Sequence, residues 1–442
     1  MGAFHRGFLR SYSVSAGRKT KKPDLPARID AANAYALEML FSVEPVLEEV
    51  QKALDVVPGM TPSTILHAGP PISWHRMCDP MKRAVRGALI FEGLAKDSSE
   101  AEKMVLEDRI ALSPNHHHDC VGPMTGIISA SMPVVVAKDL TTGKRAYSTF
   151  NEGGGQALWF GSFGEKTLQR LRWIRDKFAP VMKKAFASAE PVSVWNILSQ
   201  GIQMGDECHN RHGACTNIFL KNIVEPLFSL NISRAKAMAV YRFMSANSHF
   251  FLNFTMTGCK LATDAAHGIA DSTLVTAMSR NGTAFGIRVS GLGNRWFVAK
   301  SPYLEDALYN LGYGPEDAAS DIGDSSIIET MGLGAFAIAA APSMASFAGG
   351  GFSDAVDITN SMNLITTARN PKFAIPSLDF QGTPTGIDIR KVVDTAILPS
   401  INSAIVHKSS GAGQIGAGIA KAPYECFEKA LLAFGRRHDI AA

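Results

Sequence analysis

Apolar residues recur at helical spacing through residues 28–55, "RIDAANAYALEMLFSVEPVLEEVQKALD", and predict one or two helices. Residues 61–75, "TPSTILHAGPPISWH", read as a short strand running into a Gly-Pro-Pro loop. A helix is expected over 81–95, "MKRAVRGALIFEGLA", with Lys82, Arg83 and Arg86 on its polar side. The pattern changes over 126–150. There a β-branched run, a Thr-Thr-Gly turn and an alternating segment predict a hairpin that leads into the glycine-rich "NEGGGQALWFGSFG". From Glu165 to about Ala270 amphipathic and apolar stretches follow one another with few strand signals, so this part is expected to be helical. Beyond Asp271, "GTAFGIRVSG" and "RWFVAKSP" read as paired strands, and helix-like stretches return at 387–406 and 423–436.

Strands and helices are mixed without strict βαβ alternation, which predicts the α+β class: two mixed α+β domains joined by a helical linker domain. The expected boundaries are a basic N-terminal arm or targeting segment (1–27), a first α+β domain with N-terminal helices (28–164), the helical linker (165–270) and a second α+β domain (271–442). The longest uncharged run, Thr330 to Ser353, is long enough to span a bilayer, but Ala and Gly dominate it and Pro342 interrupts it. A buried helix ending in a glycine loop is expected there.

Hydrophobic residues make up 46% of the 442 and charged residues 19%, the balance of a globular chain with ample core. A formal net charge of +4 over this length gives no reason to expect a nucleic-acid partner. Six scattered cysteines without a CxxC pair fit free thiols in a reducing compartment. The first 22 residues carry Arg6, Arg10, Arg18, Lys19, Lys21 and Lys22 and no acid. They read either as a transit peptide to the mitochondrial matrix or as a basic arm of a cytoplasmic protein.

Four constellations carry candidate chemistry. The first is "SPNHHHDCVGPM" (113–124), with His116, His117, His118 and Asp119 in succession. Adjacent residues of an extended loop point in different directions, so the three imidazoles cannot all ligate one ion, although His116 and His118 can share a face. They are candidate proton carriers, with Asp119 orienting one of them. The second is "GDECHNRHG" (205–213), which packs Asp206, Glu207, His209, Asn210 and Arg211 between apolar flanks. On a helix Asp206, His209 and Asn210 would share a face, but the spacing is not that of HExxH. The third is Asp321, Asp324 and Glu329 in "SDIGDSSIIETMGLGAFA", where Asp324 is equally a metal ligand or a helix N-cap.

The fourth is the set of glycine loops, whose backbone N–H groups can converge on an anion. It includes Asn151, Glu152, Gly153 and Gly154, and Gly411, Gly413 and Gln414. Gly411, Gly413 and Gly416 satisfy GxGxxG, but no βαβ context supports a dinucleotide fold. Each of these loops is also ordinary turn chemistry.

Taken together, "AGPPISWHRMCDPM", "SPNHHHDCVGPMTGIIS", "NEGGGQALWFG", "GDECHNR", "GIRVSGLGNRWF", "DIGDSSIIETMGLGAFA", "DFQGTPTGIDIRKVV" and "GAGQIGAGIAKAP" resemble the YlbE-like family, in that family's order. The resemblance spans about residues 60–430 and leaves out the basic arm. Some members of that family are subunits of oxamate carbamoyltransferase in allantoin degradation, a branch of purine catabolism. The resemblance implies two α+β domains joined by a helical linker. It also implies transfer of a carbamoyl group (oxalurate and phosphate giving oxamate and carbamoyl phosphate, or the reverse) and partner subunits. Phosphate is then a co-substrate, and a divalent metal is an option with His116, His118, Asp206, Asp321 and Asp324 as candidate ligands.

The resemblance carries over no catalytic residues. Those assigned from chemistry are His116, His117, His118, Asp119, Glu207 and His209. Arg211, Asn210, Asn151, Glu152, Gly153, Gly154, Gly411, Gly413 and Gln414 are assigned to substrate or anion binding. Two other readings stay open: a metal-dependent amidohydrolase of a small amide or ureide, and a non-catalytic subunit of a larger complex. A homo-oligomer is expected, and no membrane span.

Overall fold

The computed structural model describes residues 24–304, 307–348, 350–409 and 411–439. The basic segment up to residue 23 lies outside the described residues. Asp24 caps the first helix, Leu25–Ser42, by accepting a hydrogen bond from the Ala27 amide. The helical pattern beyond it is overruled. Pro45–Lys52 is an inner strand of a four-stranded sheet, in the order Arg145–Thr149, Pro133–Asp139, Pro45–Lys52, Val192–Ser193. Pro45 cannot continue a helix, and pairing with Pro133–Asp139 buries Val46, Leu47 and Val50. The expected hairpin forms with Val136 opposite Tyr147, and the Asp139 carboxylate closes its turn by accepting from Thr141 and Thr142.

The fold is of the α+β class, with helices beside several small, largely antiparallel sheets. The helical part runs through Glu165–Trp173, a π-helical turn Ile174–Phe178, Ala179–Ser188, Val194–Gln203, Gly213–Ser229 and Arg234–Ser245 to Leu252–Ala265. Leu252–Ala265 is the central pillar. It packs on the first helix, on Arg145–Thr149 and on the short helix Ile327–Thr330. An aromatic cluster fixes its N-terminal half, with ring centroids 5.2 Å apart for Phe219 and Phe254 and 5.5 Å for Phe250 and Phe254.

A second four-stranded sheet contains the expected pair Ala284–Val289 and Phe297–Lys300, with Ile287 opposite Phe297. The stretch 387–406 is only partly helical. After the helix Ile389–Thr395, Ser400–Val406 is a strand that pairs with Gln414–Lys421 and buries Ile401 and Ile405. The uncharged run is buried over 330–339 but exposes Ser343, Ser346 and Phe352 further on, and it is not one helix. Ile327–Thr330 is followed by 3-10 segments Gly334–Ala340 and Pro342–Ala348, because Gly332 and Gly334 turn the chain through positive φ and Pro342 donates no hydrogen bond. No helix among the described residues is long and apolar enough to cross a membrane.

Candidate functional site

The segment 206–212 is a loop rather than a helix, because Gly205 at φ +96° ends Val194–Gln203 and Cys208 at φ +68° bends the chain again. Two buried carboxylates hold this loop. Glu207 accepts the amides of His209 (3.1 Å), Asn210 and Arg211 (2.7 Å), and Asp206 accepts the Cys215 amide (2.8 Å) in the first turn of Gly213–Ser229. Burial raises the Glu207 carboxyl to about 7. His249 closes the loop from outside through Nε2 and the Asn210 carbonyl, 2.6 Å apart.

The loop presents His209 to Glu329. Their contact, Nδ1 to Oε1, is 2.7 Å, and both side chains are buried. The same Glu329 oxygen accepts the amides of Ala335 and Asn402, each at 3.1 Å. Gly334 makes this approach feasible: it sits at φ +61°, and a Cβ there would lie 2.1 Å from Glu329 Oε1. With Nδ1 engaged, Nε2 is the ring nitrogen left for a ligand.

His209 and Asn210 line a cleft of about 370 Å³ together with Asn151, Gly153, Gly154 and Gln414. Asn247, Asn310, Ser325, Trp159 and Tyr309 complete its polar and aromatic wall. Among the described residues the lining contains no Lys, Arg, Asp or Glu. Side-chain amides tie the wall to the pillar helix. Asn247 donates to Asn151 (2.7 Å), Asn151 donates to Asn253 (3.2 Å), and Asn253 donates to the Thr149 carbonyl (2.8 Å). The two glycine loops meet here, since a Cβ on Gly413 (φ +98°) would lie 2.3 Å from the Gly155 carbonyl oxygen.

The histidine triplet lies elsewhere. His116 and His117, with Asp119, line a second cavity of about 410 Å³ with Lys260, Asp264, His267, Arg288 and Asn294. His118 turns away, bonding the Pro58 carbonyl (2.6 Å) and Ser113 Oγ (2.8 Å), so both its nitrogens are occupied. Asp119 is exposed at φ +55° and orients no imidazole through a hydrogen bond among the described residues. His117 is exposed, and its Nε2 accepts from the Trp296 indole at 3.0 Å. Burial, with Lys260 and Arg288 nearby, holds the buried His116 ring well below its usual range and therefore neutral.

The remaining candidates have structural partners. Asp324 is not an N-cap. It accepts from the amides of Gly69 and Gly122 (both 3.0 Å), Asn115 Nδ2 (2.8 Å) and Ser279, and so joins three segments into a wall between the cleft and the cavity. Asp321 forms a buried ion pair with Arg280 at 2.8 Å. Glu152 does not line the cleft. It accepts the amides of Leu158 and Trp159, and desolvation raises its carboxyl to about 7. Arg211 is half-exposed and stands 3.6 Å from Asp206, outside the cleft lining. Gly411 packs against the Arg83 guanidinium instead. Of the five candidate metal ligands His116 and Asp324 lie 3.8 Å apart, but no three His, Cys, Asp or Glu side chains among the described residues are grouped to hold an ion.

Sequence reasoning missed Asn247, His249 and Asn310 of the cleft and Lys260, Asp264, His267 and Arg288 of the cavity. One signal was present: Lys260 and Asp264 are the only charged residues of the otherwise uncharged Leu252–Ala265 and lie one turn apart.

Comparison with known proteins assigns this architecture. The family model described as oxamate carbamoyltransferase subunit AllG matches residues 110–325, which include His209 and the lining of the second cavity. The chain is 43% identical over 412 residues to the oxamate carbamoyltransferase subunit AllG of Escherichia coli K12, covering 92% of this chain and 98% of that one. It is 44% identical over 416 residues to the uncharacterised YahG of the same organism, covering 94% and 88%. The crystal structure of a conserved protein of unknown function from Enterococcus faecalis V583 superimposes with a TM-score of 0.92 at 42% identity, covering 94% of this chain and 99% of that one. These bacterial relatives argue against the mitochondrial reading of the basic arm. The chain belongs to the family of the oxamate carbamoyltransferase subunit AllG.

Proposed function

We propose that the chain is a subunit of a carbamoyltransferase that moves a carbamoyl group between oxamate and phosphate, and that the amide-lined cleft is where it meets the ureido substrate. The observation that carries this reading is the His209–Glu329 pair at 2.7 Å on the cleft wall. In phosphorolysis of oxalurate a phosphate oxygen attacks the carbamoyl carbon and the bond to the oxamate nitrogen breaks. That nitrogen must gain a proton, and hydrogen phosphate loses one, so a single imidazole can relay it and return to its starting state. His209 Nε2 fills this role, and Glu329 fixes the tautomer and stabilises the imidazolium. Asn151, Asn210, Asn247, Asn310 and Gln414 offer both donors and acceptors, which suits a planar ureide whose edge alternates N–H and C=O. Partner subunits complete the enzyme.

The test is phosphate-dependent carbamoyl phosphate formation by the chain assembled with its partner subunits. His209→Ala is expected to lower kcat about 10²- to 10⁴-fold, the range of a lost proton carrier. Unchanged turnover in a folded variant would remove the cleft from the reaction.

A further inference from the structure

The second cavity is built of different materials. Arg288 is 6% exposed, and no carboxylate lies within ion-pairing distance of it among the described residues. Its Nη2 donates to two neutral groups, His267 Nε2 at 2.8 Å and Asn294 Oδ1, and its buried Nε has no partner. His116 is 3% exposed, and both of its ring nitrogens are without a hydrogen-bond partner. Lys260 is 1% exposed and pairs with Asp264 one turn along the same helix. A buried guanidinium without an ion-paired carboxylate and an unsatisfied buried imidazole are both costly. Here they line one 410 Å³ cavity.

We propose that this cavity, between the 3-10 turn Asn115–His117, the pillar helix Leu252–Ala265 and the strand Ala284–Val289, binds a small oxyanion, a phosphate or carboxylate group held by Arg288, Lys260 and His116. The planar guanidinium offers a fork of N–H donors matched to either group. His116, neutral beside two cations, donates one N–H to the ligand. Trp296 covers the guanidinium, its ring centroid 5.9 Å away, and holds His117 at the rim through its indole N–H. Of the lining charges Arg288 and Lys260 are buried, whereas Asp264 is part-exposed, so the two cations are the least solvated charges of the site. The remaining carboxylate, Asp119, stands on the exposed rim, where solvent screens it.

The site is separate from the amide cleft. Leu252 lines the cleft and Lys260 the cavity, eight residues apart on one helix or roughly 12 Å along its axis. The inference therefore stands or falls independently of the proton relay at His209.

Calorimetric titration of the full chain with inorganic phosphate and, separately, with oxamate, at ionic strength held constant with chloride, tests it. At least one of them is expected to bind saturably at a site that does not depend on His209, and the one that binds there identifies the group recognised. Arg288→Met and Lys260→Met are each expected to weaken that binding at least about tenfold, the loss one charge-assisted hydrogen bond accounts for. Asn294→Asp guards against misfolding of those variants. It changes an exposed residue already bonded to Arg288, so its carboxylate occupies the guanidinium and is expected to weaken binding by at least a similar factor. His209→Ala is expected to leave the affinity unchanged. Failure of both anions to bind overturns the proposal, as does wild-type affinity in folded Arg288→Met or Asn294→Asp, or loss of binding in His209→Ala.

Discussion

The cleft and the cavity share a wall and differ in what fills them. Asp324 ties Gly122 into that wall, with His116 3.8 Å away on the cavity side and its neighbour Ser325 on the cleft side. Among the described residues the cleft lining has no formal charge, and the carboxylate of Glu329 lies behind His209. The cavity concentrates charge and leaves His116 and Arg288 with unsatisfied nitrogens. The difference separates two physical tasks. Moving a proton requires an imidazole held in one tautomer and orientation, which a single well-placed carboxylate supplies. Attracting an oxyanion requires charge in a desolvated place, where it is worth more than in water.

The sharpest way to break the comparison is Glu329→Gln. The amide oxygen can still accept from Ala335 and Asn402, so the fold is expected to hold while the imidazolium loses its counter-charge. Turnover of the assembled enzyme is expected to fall about 10²-fold or more with little change in KM, measured by steady-state assay. A proportionate rise in KM instead would assign Glu329 to substrate binding. Next in size is Asp324→Ala, which removes one acceptor from four buried donors and merges the two environments. Denaturant unfolding should show a loss of ~2–4 kcal/mol, and a change under 1 kcal/mol would mean that the wall repacks around the gap.

The smallest expected effect is pH dependence located in the cavity. His267 is held at about 4, first by desolvation and then by Arg288, while its nitrogens bond Thr276 Oγ1 and Arg288. A histidine whose folded pKa lies below its ordinary 6.5 contributes stability that is complete above 6.5 and lost as pH falls towards 4. Unfolding free energies measured between pH 7 and 4.5 are expected to fall by up to about 2 kcal/mol from this ring, less whatever its partial exposure screens. His267→Asn should flatten the slope. An equally steep slope in that variant would assign the acid sensitivity to other groups, such as His67, which burial also holds at about 4.

Local patterns decided much of this protein. The hairpin 133–149, the helical run from Glu165, the pair of strands around residues 284–300 and the α+β class all follow from period, turn residues and the lack of βαβ alternation. The resemblance carried by eight motifs in fixed order also pointed to kinship with an oxamate carbamoyltransferase subunit, which the match to AllG supports. Periodicity failed where long-range pairing overrules it, at Pro45–Lys52 and Ser400–Val406, whose strand partners lie far away or across a loop. Among the candidate residues, His209, Asn210, Asn151, Gly153, Gly154 and Gln414 come together in one cleft, and His116, His117 and Asp119 in another. Nothing local could tell His116 from His118, since which ring faces a cavity depends on Pro58 and Ser113 for one and on the pillar helix for the other. Nor could it pair His209 with Glu329 across 120 residues. Residue types and spacing determined which chemistry is available along the chain. Burial, which sets both the charge state and the partner of each ionisable group, exists only once the chain has folded, so the tertiary structure alone decided where that chemistry sits.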